Sequence, residues 1–261
     1  MNQSGIVDLH SHILPGVDDG AGDVEESLAM AGLAVKEGIR VLAVTPHHNN
    51  PMYRNRKADI LEQMRMLQEQ ITTAGIDLQL VAGQELRLCE TSMRELLTGD
   101  EVLTLNASRY LLVELPSNDI PDPLEEWMHE FRVKGIVPVI AHPERNRAII
   151  EDPRRLDDLL SWGALAQVTA PSLLGQFGGK VKHVAMQLCR DHKIHLVASD
   201  AHHPSVRTFA LQQAFSLIAD TLGDSYKELY LLNAERMLAN EDVEIEYALK
   251  PRKNRLFFWK R

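Results

Sequence analysis

The sequence predicts an α/β chain folded as a closed or nearly closed β/α barrel, and three observations predict it. Seven short apolar runs alternate with amphipathic stretches along most of the 261 residues. The runs are aliphatic and β-branched with little strict alternation, as parallel strands covered on both faces are. Most of them then end in histidine and carboxylate, and in such barrels the active site is built at the carboxyl ends of the strands.

The elements follow in order. Ile6-Val7 starts a strand that ends at His10. Residues 23–37 read as a helix with Leu28, Ala31, Leu33 and Val35 partly on one face. Asp23 suits its N-cap and Gly38 its terminator. Residues 41–44 form the next strand, and a long helix from about 56 to 73 is ended by Gly75. Further strands fit 78–82, 111–114, 137–141, 165–169 and 196–199, with helices between most of them, including 123–134, 153–162 and 180–192. A single barrel domain is expected over residues 1–242, followed by a basic-aromatic tail over 243–261.

Composition narrows the function classes. The chain is 44% apolar and 25% charged, an ordinary globular balance. No apolar run is long enough to span a bilayer and no signal-peptide pattern opens the chain, so a cytoplasmic location is expected. A net charge of −9 argues against nucleic acid as the main partner. Only Cys89 and Cys189 occur, too few for a disulfide framework or a cysteine zinc site. From Lys250 onward the tail has six basic residues and no acidic one, leaving the rest of the chain at about −15. Phe257, Phe258 and Trp259 lie among those charges. The tail is either solvated or weakly attached to an anionic membrane surface, which would place the protein at the inner face of the cell membrane.

The chemistry is concentrated in polar clusters. They are Asp8-Leu9-His10-Ser11-His12, Thr45-Pro46-His47-His48, Gly83-Gln84-Glu85, Ala141-His142-Pro143-Glu144-Arg145 and Ser199-Asp200-Ala201-His202-His203, with Glu114 as a barer sixth. Seven of the 11 histidines sit in them, as a hydrolytic multi-metal centre requires. Alternate strand residues share a side, so His10 and His12 grip one ion together if the extended backbone persists through Ser11. Asp18-Asp19-Gly20 is strong turn chemistry that also aims Asp19 back at the site. Of His47 and His48 one ligates while the other packs or hydrogen-bonds, and the same holds for His202 and His203. Gly83 allows close backbone approach ahead of Glu85. Glu114 ends an apolar strand, where a buried carboxylate is costly without a cation; capping a helix is its alternative role.

Taken together, these segments resemble the polymerase-and-histidinol-phosphatase (PHP) superfamily, specifically the bacterial manganese-dependent tyrosine phosphatases of capsule and exopolysaccharide operons. The match runs through residues 8–15, 18–20, 45–48, 83–85, 141–145 and 199–202, nearly the whole chain up to the tail. The resemblance implies a distorted (β/α)7 barrel holding three divalent ions, manganese first, with iron or zinc as alternatives. Its implied ligands are His10, His12, Asp19, His47, Glu85, Glu114, His142, Asp200 and His202, with Glu85 bridging two ions. Arg145 and Arg207 match arginines that engage phosphate.

The implied reaction is hydrolysis of phosphotyrosine by metal-activated hydroxide, on the tail of a bacterial tyrosine kinase or on other proteins of polysaccharide export. Three ions at about +6 against four carboxylates at about −4 leave about +2, which favours a phosphate dianion. A small-molecule phosphatase, such as one for histidinol phosphate, and a non-catalytic metal-bound regulator of the kinase are the alternatives. Asp18-Asp19-Gly20 and the run over residues 142–147 favour the first reading. Cysteine catalysis is excluded, because the residues six after Cys89 and Cys189 are Glu95 and His195 where that chemistry needs arginine. Residues 175–180 fall short of a nucleotide loop and read as a turn near the site mouth. Glu144 is either a general acid or a partner behind the ligands, and the oligomeric state is open.

Overall fold

Seven parallel staves close into a distorted ring in the computed structural model, which describes residues 5–99 and 101–244. In chain order the elements are β1 (Ile6–Asp8), α1 (Val24–Lys36), β2 (Ile39–Val44), β3 (His47–His48), α2 (Lys57–Thr73), β4 (Gln79–Ala82), β5 (Glu85–Arg87) and α3 (Glu90–Thr98). Then come β6 (Tyr110–Glu114), α4 (Leu124–Val133), β7 (Val137–Ala141), α5 (Arg147–Glu151), α6 (Arg155–Ser161), β8 (Leu165–Thr169) and α7 (Ala170–Leu174). The described chain ends with α8 (Gly179–Arg190), β9 (Leu196–Ala198), α9 (Leu211–Leu222) and α10 (Asp224–Leu238). No helix among the described residues is long and apolar enough to cross a membrane.

Two staves are broken, and the breaks are the distortion. β2 resumes as β3 beyond Thr45-Pro46, and β4 resumes as β5 beyond Gly83-Gln84. Register carries across both breaks without a slip: Val44 pairs Ala82 before them and His47 pairs Glu85 after. One sheet is therefore ordered β1-β2-β4 and the other β3-β5-β6-β7-β8-β9. Gly83 sits where a Cβ would lie 2.9 Å from Leu105 and 3.0 Å from Thr45, so only glycine fits the step without a shift.

The ring closes between β9 and β1. Ser11 bridges Ala201 in parallel, and the Asp200 amide donates to the His10 carbonyl at 2.9 Å. The buried Asp8 carboxylate accepts from the Ser199 amide at 3.1 Å, stitching the first stave to the last. Burial pushes the Asp8 carboxyl up to about 6, against those hydrogen bonds.

Both faces of the strands are buried, which is why the runs do not alternate. Val7, Leu9, Val81, Leu112, Val139, Leu165 and Leu196 fill the interior, plugged by Ala234 and Met237 of α10. Leu42, Leu111, Val113, Ile140, Val168 and Val197 face the helical coat with Met30, Ile71, Phe131 and Leu159. Each such side chain removed from water contributes on the order of 1.5–3 kcal/mol. Asp23 caps α1 through the Glu26 amide at 2.9 Å. Val243 still packs on the interior cluster, and Asn233 accepts from the Glu244 amide at 2.8 Å. The expected basic-aromatic stretch beyond that point lies outside the described residues.

Candidate metal centre

At the carboxyl mouth of the ring, four overlapping groups of side chains each bring their donor atoms within 4.8 Å of one another. They are His12-Asp19-His47-His202, His10-His12-Glu85, His10-His142-Asp200 and His47-Glu85-Glu114. The nine residues implied by the resemblance are the nine that compose these groups, among the described residues. His10, His12, His47 and Glu85 each belong to two groups, so the four groups form one continuous cluster. The extended backbone does persist through Ser11, and the Nε2 atoms of His10 and His12 lie 3.3 Å apart.

Hydrogen bonds behind the rings fix which nitrogen faces inward. His10 Nδ1 donates to Gln167 Oε1 at 2.9 Å, and His12 Nδ1 donates to Asp18 Oδ2 at 2.7 Å. His202 Nδ1 donates to the Asp200 carbonyl at 2.9 Å. Each leaves an Nε2 lone pair aimed at the centre, the arrangement that orients metal-bound histidines. Asp18 also accepts from the Gly20 and His47 amides, so one carboxylate holds the turn and two of the histidine segments.

The inner atoms fit a cation. His47 Nδ1, Glu85 Oε2 and His202 Nε2 are buried without a hydrogen-bond partner, a costly state that a divalent ion relieves. Glu85 is fully buried, with Oε1 at 2.7 Å from His142 Nε2 and Oε2 at 2.9 Å from His47 Nδ1. Burial works to raise its pKa, yet the adjoining His47 and His10 rings hold it well below the usual carboxylate range. The Nε2 atoms of His202 and His47 lie 3.5 and 3.4 Å from Asp19 Oδ1, and their proximity holds that carboxyl low. Nitrogen and oxygen donors without thiolate suit manganese, iron or zinc.

Asp200 joins this centre to two arginines. Its Oδ1 lies 3.2 Å from His10 Nε2, while Oδ2 accepts from Arg145 at 2.5 Å and from Arg207 at 2.7 Å. Both arginines line the open pocket with Asp19, His47, Glu85, Glu114, His142, Asp200 and His202. Arg207 Nε is buried without a hydrogen-bond partner. Arg87 adds a third cation to the wall and donates to Glu114 at 3.0 Å.

The remaining expectations sort cleanly. His48 turns away to Glu95 at 2.9 Å, anchoring α3, and His203 is half-buried beside Ser205. Glu144 is fully buried, accepts from the Thr169 amide at 3.1 Å and does not line the pocket, which suits it to support rather than proton donation. Cys189 is buried and its thiol is pushed up to about 12 by that burial, while Cys89 contacts Ser92. Asp18, as partner of His12, and Gln167 were not assigned from sequence. A glutamine inside the buried run Leu165–Thr169 was the available signal for Gln167.

Comparison with known proteins gives one consistent result. A family model described as capsular polysaccharide synthesis, CpsB/CapC, matches residues 6–239. The chain is 39% identical over 238 residues to the tyrosine-protein phosphatase YwqE of Bacillus subtilis (strain 168), covering 91% of this chain and 93% of that protein. It is 29% identical over 242 residues to the tyrosine-protein phosphatase CpsB of Streptococcus pneumoniae, covering 90% and 99%. A solved structure from work on YwqE and CpsB, described as unique metal-dependent tyrosine phosphatases, superposes with a TM-score of 0.89. That match has 38% identity and covers 93% of this chain and 98% of the other.

Proposed function

The chain belongs to the CpsB/CapC family, and from that membership and the geometry of the mouth we infer that it is a metal-dependent protein-tyrosine phosphatase. One observation carries the reading: nine histidine and carboxylate side chains converge, and seven of them line a pocket whose wall holds Arg145 and Arg207. We propose that His10, His12, Asp19, His47, Glu85, Glu114, His142, Asp200 and His202 would hold three divalent ions, manganese first. When bound, the ions supply Lewis acidity and make a water acidic enough to react near neutral pH.

The chain's own residues do the rest. Gln167, Asp18 and the Asp200 carbonyl keep three imidazoles in the tautomer that offers Nε2. The guanidinium groups of Arg145 and Arg207 meet the phosphate oxygens, for which charged N–H donors are well suited. Asp200 holds both arginines and so registers the phosphate against the cations. A phenol leaving group, with a pKa of about 10, needs less help from an acid than an aliphatic alcohol does. This accords with a pocket that Glu144 does not reach.

The substrate we propose is a phosphotyrosine-bearing protein of polysaccharide export, such as a kinase tail. Manganese-loaded protein assayed on phosphotyrosyl peptide, phosphoseryl peptide and histidinol phosphate tests it. Preference for the phosphotyrosyl peptide is expected; preference for histidinol phosphate, or inactivity on all three, would overturn the assignment. We further propose that the barrel domain ends near residue 242 and that the basic tail from Lys250 attaches weakly to anionic membrane. Truncation before Lys250 should abolish co-sedimentation with phosphatidylserine vesicles and spare turnover; equal sedimentation would refute the attachment.

A further inference from the structure

The turn between α7 and α8 presents an aromatic ring to the two pocket arginines. Phe177 sits between Gly175 and Gly178, both in the left-handed region at φ 86° and 92°. Its side chain remains 38% exposed. Its centroid lies 4.2 Å from Arg145 Cζ and 5.8 Å from Arg207 Cζ. Both distances are within reach of a cation–π attraction.

The rest of Arg145 is held at its edge. Nη2 donates to Thr169 Oγ1 at 2.7 Å and to Asp200 Oδ2, and Nε approaches Ser172 Oγ at 3.4 Å. Glu144 in turn accepts from the Thr169 amide and hydroxyl, so the edge contacts rest on a buried carboxylate. A guanidinium fixed at one edge can still swing about it. A ring against the flat face removes that freedom and excludes water from the face, while the remaining N–H groups stay available. The same ring serves Arg207 more distantly, drawing together two cations that otherwise repel.

We propose that Phe177 is a positioning residue: its ring clamps Arg145, and with it Arg207, in the orientation that grips phosphate. The proposal rests on the phosphate-binding role given to those arginines. Its signature is therefore weakened phosphate binding rather than loss of metal or fold. Phe177→Leu keeps an apolar side chain but removes the π face.

In manganese-loaded enzyme of unchanged metal content and melting temperature, Phe177→Leu should raise the inhibition constant of inorganic phosphate roughly three- to tenfold. It should lower kcat/KM on phosphotyrosyl peptide by a similar factor, and Phe177→Trp should restore both. In an Arg145→Ala background, Phe177→Leu should add only a small residue of its effect, because the nearer partner is gone and Arg207 alone remains.

Unchanged phosphate inhibition in Phe177→Leu would overturn the proposal, even if the peptide reaction slowed; the ring would then touch substrate instead. An effect that persists in full without Arg145 would overturn it also. If Arg145→Ala alone left phosphate inhibition and turnover intact, the phosphate role of the arginine itself would fall. The two readings thus fail separately.

Discussion

Two of the nine residues at the mouth hold backbone conformations that ordinary side chains avoid. His142 and Asp200 have φ of 34° and 53°, at the turns that follow β7 and β9. A non-glycine residue there costs on the order of 1–2 kcal/mol, and such strain persists where surrounding contacts hold it in place. His142 is held by Glu85 Oε1, and Asp200 by the two arginines. Stability has been exchanged for the aim of a donor atom. In metal-free protein, His142→Gly is expected to be more stable than His142→Ala by about 1 kcal/mol, while both lose turnover. Urea unfolding of the pair measures this; equal midpoints would mean that the backbone is not strained. At this scale much was legible, because His10 and His12 obey the two-residue period of a strand. Gln167 was not, since its partner His10 lies 157 positions away and only closure of the ring brings them together.

Elements position these residues by where they stop. Each stave delivers its last apolar residue to the core and the next polar one to the mouth, so the expected strand ends fall within a residue or two of those observed. The exception is instructive. β3 and β5 each carry one of the nine residues, His47 and Glu85, and neither reads as a strand from sequence, because Pro46 and Gly83 interrupt the apolar runs ahead of them. Their pairing is secured by register inherited across the break.

Packing between elements also sets a pH dependence away from the centre. His195, just before β9, is buried and accepts from the Ala166 amide of β8 at 3.2 Å through Nδ1. Burial lowers its pKa from 6.5 to about 4. The unfolded chain therefore binds more protons between those values, and the stability contributed by neutral His195 is lost as pH falls from 6.5 toward 4. Wild type should lose about 2 kcal/mol more than His195→Gln between pH 7 and pH 5. Parallel denaturation curves at the two pH values check it, and an identical loss in the variant would contradict the buried neutral imidazole.

For the whole molecule, closure is what turns scattered motifs into one site. The nine residues lie at or beyond the ends of six of the seven staves, and Asp8 and the Ser11–Ala201 bridge join the last stave to the first around them. The chain is acidic as a whole at −9, yet its mouth gathers Arg87, Arg145 and Arg207 around a cluster built for cations. Periodicity predicted the barrel and the resemblance supplied the ligand set. The support behind the ligands depends on distances between remote residues, which no local pattern encodes.

Anomalous scattering from crystals of manganese-loaded protein tests the central claim most directly. Three peaks are expected within the pocket, enclosed by His10, His12, Asp19, His47, Glu85, Glu114, His142, Asp200 and His202, with Glu85 between two of them. Peaks bound elsewhere on the surface, or none in fully loaded crystals, would contradict the account.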